Sequence, residues 1–192
     1  VVLRRHDLPR TAPTEAEAWQ QQEEDLPRED LTALPFVTID GASTKDMDDA
    51  LYVETTAEGW KLTVAIADPT AYIAPGSAMD SEAAKRAFTV YLPGRNIPMI
   101  PRSLSDELCS LKEGEDRHTL CCELHIGKDG AIAPEFRFFA ATIRSQGRLI
   151  YDEVSDWLEL GQSATFTPNE TIAAQLHGLK AITEARHAWR ST

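Results

Sequence analysis

Phe36-Val37-Thr38-Ile39-Asp40, Gly41-Ala42-Ser43-Thr44-Lys45-Asp46-Met47-Asp48-Asp49 and Ala50-Leu51-Tyr52-Val53 follow one another without a break. The first and last pieces are short apolar runs rich in β-branched and aromatic side chains, so each predicts a strand. The middle piece opens on Gly-Ala-Ser-Thr, the composition of a loop. The stretch therefore predicts two strands joined by a loop, with Asp40, Asp46, Asp48 and Asp49 placed within ten residues.

Working outward, Glu58-Gly59 marks a turn and Trp60 to Ala67 a third strand, closed by Asp68-Pro69. Asp80 or Ser81 can cap a helix running to about Phe88, because a short side-chain oxygen satisfies the first free amides. Cys121 to Ile126 and Ile132 to Ile143 predict a hairpin around the turn Lys128-Asp129-Gly130. Tyr151 to Leu160 and Asn169 to about Trp189 predict helices; the second carries Ile172, Leu176, Leu179, Ile182 and Ala185 near helical spacing. Strands first and helices later give an α+β class, a mixed β-sheet core with flanking helices. Residues 1–27 are polar and Pro-containing and predict a linker, with Glu15 to Glu24 as a weakly patterned helix at most.

The 192 residues suffice for one ordinary domain with a real core. No apolar run approaches the roughly 18–20 residues that span a bilayer. No basic-then-apolar leader is present, so the expected compartment is the cytoplasm and no membrane is expected as a partner. The chain starts at Val1 and stops in a helix-like run, which leads us to expect a piece of a longer protein. Cys109, Cys121 and Cys122 are odd in number and form no Cys-x-x-Cys pair, so reduced thiols are expected rather than disulfides or a zinc site. The net charge of −12 counts against a nucleic-acid partner, unless part of it is a metal site and the basic gripping surface lies elsewhere.

Carboxylates crowded at strand ends repel one another unless they are protonated or bound to cations. A hard divalent ion such as Mg²⁺ takes oxygen ligands and resolves the crowding. Two such ions roughly 3.5–4 Å apart can clamp the attacking and leaving oxygens of a phosphodiester displacement. A solvated acidic turn and a purely structural metal remain open from spacing alone. A calcium-binding EF-hand loop starting at Asp46 fails, because its sixth and twelfth positions are Leu51 and Ala57 rather than Gly and an acid. The Asp46-x-Asp48-Asp49 pattern of helical terpene cyclases does not suit strand flanks. An aspartyl-phosphate phosphatase would not continue as Asp49-Ala50.

The run from Arg28 to Asp40, continued by Thr44 to Leu51, closely resembles the start of the catalytic domain of the ribonuclease II family of RNB-domain exoribonucleases. The resemblance continues through Val64 to Thr70, Tyr91 to Gly94, Asn96 to Pro101, Leu104 to Asp106, Leu108 to Leu111, Phe138 to Ile143 and Tyr151 to Trp157. Order and spacing match over nearly everything from residue 28 onward, which marks 28–192 as the N-terminal portion of an RNB-type catalytic domain. Ala67-Asp68-Pro69-Thr70 and Tyr91-Leu92-Pro93-Gly94 are more like the ribonuclease II branch than ribonuclease R.

The resemblance implies a 3′-to-5′ exoribonuclease that hydrolyses single-stranded RNA, not DNA, to nucleoside 5′-monophosphates. It implies that Asp40, Asp46, Asp48 and Asp49 hold Mg²⁺, with Mn²⁺ as an alternative, and that Asp48 and Asp49 lie closest to the chemistry. Tyr91 corresponds to an aromatic stacking near the RNA 3′ end, and Tyr151 to a residue at the terminal ribose, where a 2′-hydroxyl distinguishes RNA from DNA. Asp68 reads as a structural turn, and the five histidines receive no role. Family members are several times longer and place a catalytic arginine, a further acid and a second stacking aromatic in a later segment. The expected parent is a monomer, and this portion alone is expected to be inactive or weakly active. The competing expectation is a non-catalytic RNA-binding or regulatory relative of the same fold.

Overall fold

The computed structural model of the chain describes residues 9, 11–13 and 26–191. The expected helix over Glu15 to Glu24, and nearly all of the expected linker over 1–27, lie outside the described residues. Two compact units are present. The larger is built from residues 26–67 and 111–191, and the smaller centres on Asp68–Ser110.

The larger unit is a six-stranded mixed sheet of β1 (Glu29–Asp30), β2 (Phe36–Asp40), β3 (Asp49–Thr55), β4 (Gly59–Ala67), β7 (Asp116–Gly127) and β8 (Ile132–Ile150). Strands β2, β3, β4 and β7 pair antiparallel in succession, and β7 pairs antiparallel with β8 as far as Arg144. The last part of β8 pairs parallel with β2, from Phe36↔Ser145 to Asp40↔Ile150, so the hydrogen-bonded ladder returns to its start. The short β1 adds to β8 beside Ala141 and Thr142. The expected hairpin is present but longer than its apolar runs suggested. Its turn is closed by Gly127 N–H to Ala131 O at 2.9 Å and by Ala131 N–H to Asp129 Oδ1 at 3.0 Å.

Helices α2 (Tyr151–Leu160) and α3 (Glu170–Arg190) follow β8, as the sequence predicted. Asn169 caps α3 by accepting from Ile172 N–H at 2.9 Å. The stripe of α3 is divided between two core clusters. Ile172 and Leu176 pack with Val37, Leu149 and Val154, while Ile182 packs with Val53 and Ile126, and Leu179 touches both groups. Gly161 ends α2 in the left-handed region, and Lys180 reaches back from α3 to donate to Leu158 O at 3.1 Å. Gly130 has φ +83, and a Cβ there would lie 2.2 Å from Ala185 O, so only glycine fits where the hairpin turn meets α3.

The buried Gln175 sets how α3 sits on the sheet. Beyond Leu51 the ladder no longer pairs β3 with β2, so Val53 has a free edge. The Gln175 amide supplies both missing partners, accepting from Val53 N–H at 2.7 Å and donating to Val53 O at 3.1 Å. One turn on, Gly178 allows the backbones to approach, since a Cβ there would lie 2.9 Å from Val53 Cγ1.

In the smaller unit, Asp68 accepts from the Thr70 amide and hydroxyl and caps a 3-10 turn, Pro69–Ala71. It is thus the structural turn residue its sequence suggested. Helix α1 (Ala78–Arg86) begins and ends earlier than expected. Its cap is Ser77, which accepts from Asp80 N–H at 3.1 Å, while the Asp80 carboxylate accepts from Gly76 N–H at 2.8 Å. Asp80 is therefore the reciprocal partner inside the first turn rather than the cap itself. Strands β5 (Val90–Leu92) and β6 (Arg95–Ile97) form a small hairpin that the sequence reading missed, although Pro93-Gly94 is a turn signal. Cys109 and Cys121 are buried, Cys122 is half-buried and none of the three is in a disulfide. Among the described residues no helix is long and apolar enough to cross a membrane.

Two substitutions test the α3 contact. Gln175→Leu leaves two buried backbone groups unpaired and is expected to lower unfolding free energy by about 2–4 kcal/mol in urea denaturation. Gly178→Ala would gain about 1 kcal/mol in an open helix, but the Val53 contact reverses the sign and a net loss of about 1 kcal/mol is expected. A stabilised Gly178→Ala protein would show that α3 does not approach β3 so closely.

Candidate active site

Strand β2 delivers Asp40 to one end of the sheet, and β3 begins there with Asp49, whose ladder partner is Ile66 on β4. The loop between them, residues 41–48, carries Asp46 and Asp48 and has no regular structure. It is fixed by its own carbonyls. Thr44 N–H donates to Gly41 O at 3.0 Å, Leu111 N–H to Met47 O at 2.9 Å and Ala67 N–H to Asp48 O at 2.8 Å. Met47 is buried between two exposed or half-buried acids, which turns the loop inward at that point and leaves the carboxylates to the outside.

Electrostatics tie three of the four acids together. Burial pushes the Asp40 carboxyl above its ordinary value, the charge of Asp49 raises it further and Asp46 adds to the same effect. Arg148 opposes these with its positive charge. Asp48 is exposed on the same loop. The partner of Asp40 on β8 is Ile150, so Tyr151 leaves the sheet one residue beyond it, at the same end, and its side chain is 60% exposed. Tyr91 belongs to the smaller unit, where it lies on β5 opposite Asn96 and is 68% exposed.

Arg148 was not found from sequence. It lies on β8 opposite Thr38, two residues before Asp40, and its Nη2 donates to Ala42 O at 3.1 Å and Thr44 O at 3.0 Å. Its backbone N–H donates to Glu113 Oε2 at 3.0 Å. The only signal available was alternation along β8, where Ser145, Gly147 and Leu149 are buried and Arg144, Gln146 and Arg148 face outward.

The donor set suits a hard divalent cation. All four candidate ligands are carboxylates, and the crowding around Asp40 is a local excess of negative charge that such an ion relieves. Among the described residues no three His, Cys, Asp or Glu side chains already converge on one point. The fit is one of donor chemistry and charge.

Residues 28–192 match the model of the RNB domain, and the chain belongs to that family. It is 60% identical over its full length to exoribonuclease 2 of Aeromonas hydrophila. It spans only 28% of that relative's length. Among solved structures it is similar to Mycoplasma genitalium RNase R in complex with ribose-methylated single-stranded RNA, at a TM-score of 0.80 and 35% identity, with 98% of this chain and 28% of that one covered. The complex of the same protein with double-stranded RNA aligns at a TM-score of 0.80 and 34% identity, over 98% of this chain and 32% of the other. The expectation of an RNB-type α+β domain is met in both sequence and fold.

The raised Asp40 value has a stability consequence with a definite sign. A carboxyl whose folded value lies above its unfolded one favours folding when protonated, and that contribution is lost as pH rises through the folded value. At neutral pH the ionised Asp40 therefore opposes folding. Asp40→Asn is expected to raise the thermal unfolding midpoint in EDTA, and added Mg²⁺ is expected to raise that of the unsubstituted protein. A lower midpoint for Asp40→Asn in EDTA would contradict this charge assignment.

Proposed function

We propose that the protein carrying this chain is a 3′-to-5′ exoribonuclease that hydrolyses single-stranded RNA to nucleoside 5′-monophosphates in a Mg²⁺-dependent manner. The observation that carries the reading is the presence of all four aspartates at one end of the sheet of an RNB-family domain. The exoribonuclease name of the Aeromonas relative and the RNA bound in the two RNase R structures support it.

In this reading Asp40, Asp46, Asp48 and Asp49 would hold Mg²⁺, or Mn²⁺ in its place. The ion would supply Lewis-acid activation of a water and charge stabilisation for phosphodiester hydrolysis. Asp48, at the end of the loop, and Asp49, at the start of β3, are both exposed and in this reading would lie closest to the scissile phosphate. Asp40, half-buried at the end of β2, anchors the set to the sheet. Tyr151 meets the terminal ribose, where a hydrogen bond to the 2′-hydroxyl favours RNA over DNA. Tyr91 offers an exposed ring on which a base can stack without sequence being read. With a net charge of −12, the chain leaves the basic surface that grips RNA to other parts of the longer protein, a monomer in the cytoplasm.

The test is degradation of 5′-labelled single-stranded RNA by the full-length protein, with Mg²⁺ or EDTA, beside Asp48→Asn. Shortening from the 3′ end that needs Mg²⁺ and falls by at least about 10³-fold in the variant, with RNA affinity retained, is the expected result. RNA binding without shortening would point to a non-catalytic relative, and an unimpaired Asp48→Asn protein would remove Asp48 from the site.

A further inference from the structure

The loop 41–48 has to hold two carboxylates, Asp46 and Asp48, in a fixed relation to Asp40 and Asp49 at its ends, yet no ladder or helix of its own does this. Its far end is tied by the amides of Leu111 and Ala67. At its near end, Nη2 of Arg148 donates to both Ala42 O and Thr44 O, at 3.1 and 3.0 Å. Arg148 is itself placed by the parallel pairing with Thr38 and by the bond from its amide to Glu113. Its backbone therefore belongs to the rigid sheet, while its guanidinium belongs to the loop.

We propose that Arg148 is a positioning residue that straps the aspartate-bearing loop to strand β8 and so sets the arrangement in which the four carboxylates take up a divalent ion. The proposal rests on the metal-dependent reading of the site given above. Two opposite effects separate the strap from a simple counter-charge. Arg148 is a cation beside Asp40, so on charge alone its removal would draw a divalent ion in more tightly. If it is the strap, its removal releases the loop and ion affinity falls. Side chains that orient metal ligands typically change affinity or activity by about 10–100-fold when lost.

The experiment compares the full-length protein with its Arg148→Ala, Arg148→Lys and Asp48→Asn forms in three measurements. Hydrogen exchange of the peptide over 41–48 is expected to quicken in Arg148→Ala, while protection of the β3–β4 ladder stays unchanged. Calorimetric Mn²⁺ binding is expected to weaken by about 10–100-fold, and the Mg²⁺ concentration for half-maximal RNA shortening to rise in parallel. RNA affinity in EDTA is expected to be unaltered. Arg148→Lys keeps the charge but replaces the planar guanidinium by a point ammonium on a shorter, flexible stem, so it is expected to share most of the defect. Unchanged exchange over 41–48, or tighter Mn²⁺ binding by Arg148→Ala, overturns the strap. Loss of RNA affinity in EDTA with Mn²⁺ binding intact also overturns it and makes Arg148 a phosphate contact. Full turnover by Asp48→Asn would remove the metal-dependent reading, while the exchange measurement still decides the strap.

Discussion

The parallel pairing of β2 with the end of β8 is the constraint on which the larger unit depends. It joins Phe36–Asp40 to Ser145–Ile150, closes a ladder that otherwise runs antiparallel from β2 to β7, and places Asp40, Arg148 and Tyr151 at one end. A parallel pair needs a long crossover between its strands, and here β3, β4, β7 and the whole of residues 68–110 supply it. The helices then cover what the ladder builds, with Val37 and Leu149 on adjacent strands in the same cluster as Ile172 and Leu176.

Local elements were legible where one physical signal dominated. Strands β2, β3 and β4 are short apolar runs cut by a loop and a turn, and α3 shows its stripe because Ile172, Leu176, Leu179 and Ile182 meet the sheet at helical spacing. Boundaries failed where signals overlapped. Asp80 and Ser81 both look like caps of α1, yet Ser77 is the cap, fixed by its bond from Asp80 N–H while the Asp80 carboxylate accepts from Gly76 N–H. The β5–β6 hairpin was hidden because its strands, Val90–Leu92 and Arg95–Ile97, are too short for an alternating pattern to show.

The candidate site divides in the same way. The nearness of Asp40, Asp46 and Asp49 follows from covalent connection over ten residues, so spacing alone revealed it. Arg148 stands more than a hundred residues away in a strand whose other outward positions are also polar, and nothing local marks it. Its place is a property of register, which a single sequence does not display. Glu113 and Gln175 were invisible for a similar reason: each meets backbone groups rather than a complementary side chain.

The distance along the chain between Asp49 and the end of β8 also sets an order in time. During synthesis all four aspartates leave the ribosome about a hundred residues before Ile150 does. At about 5–20 residues per second that interval lasts roughly 5–20 seconds. Until it ends, β2 has β3 but lacks its parallel partner, and the loop lacks Arg148. The acidic stretch is thus made first and organised last, by one of the final strands of the sheet to emerge.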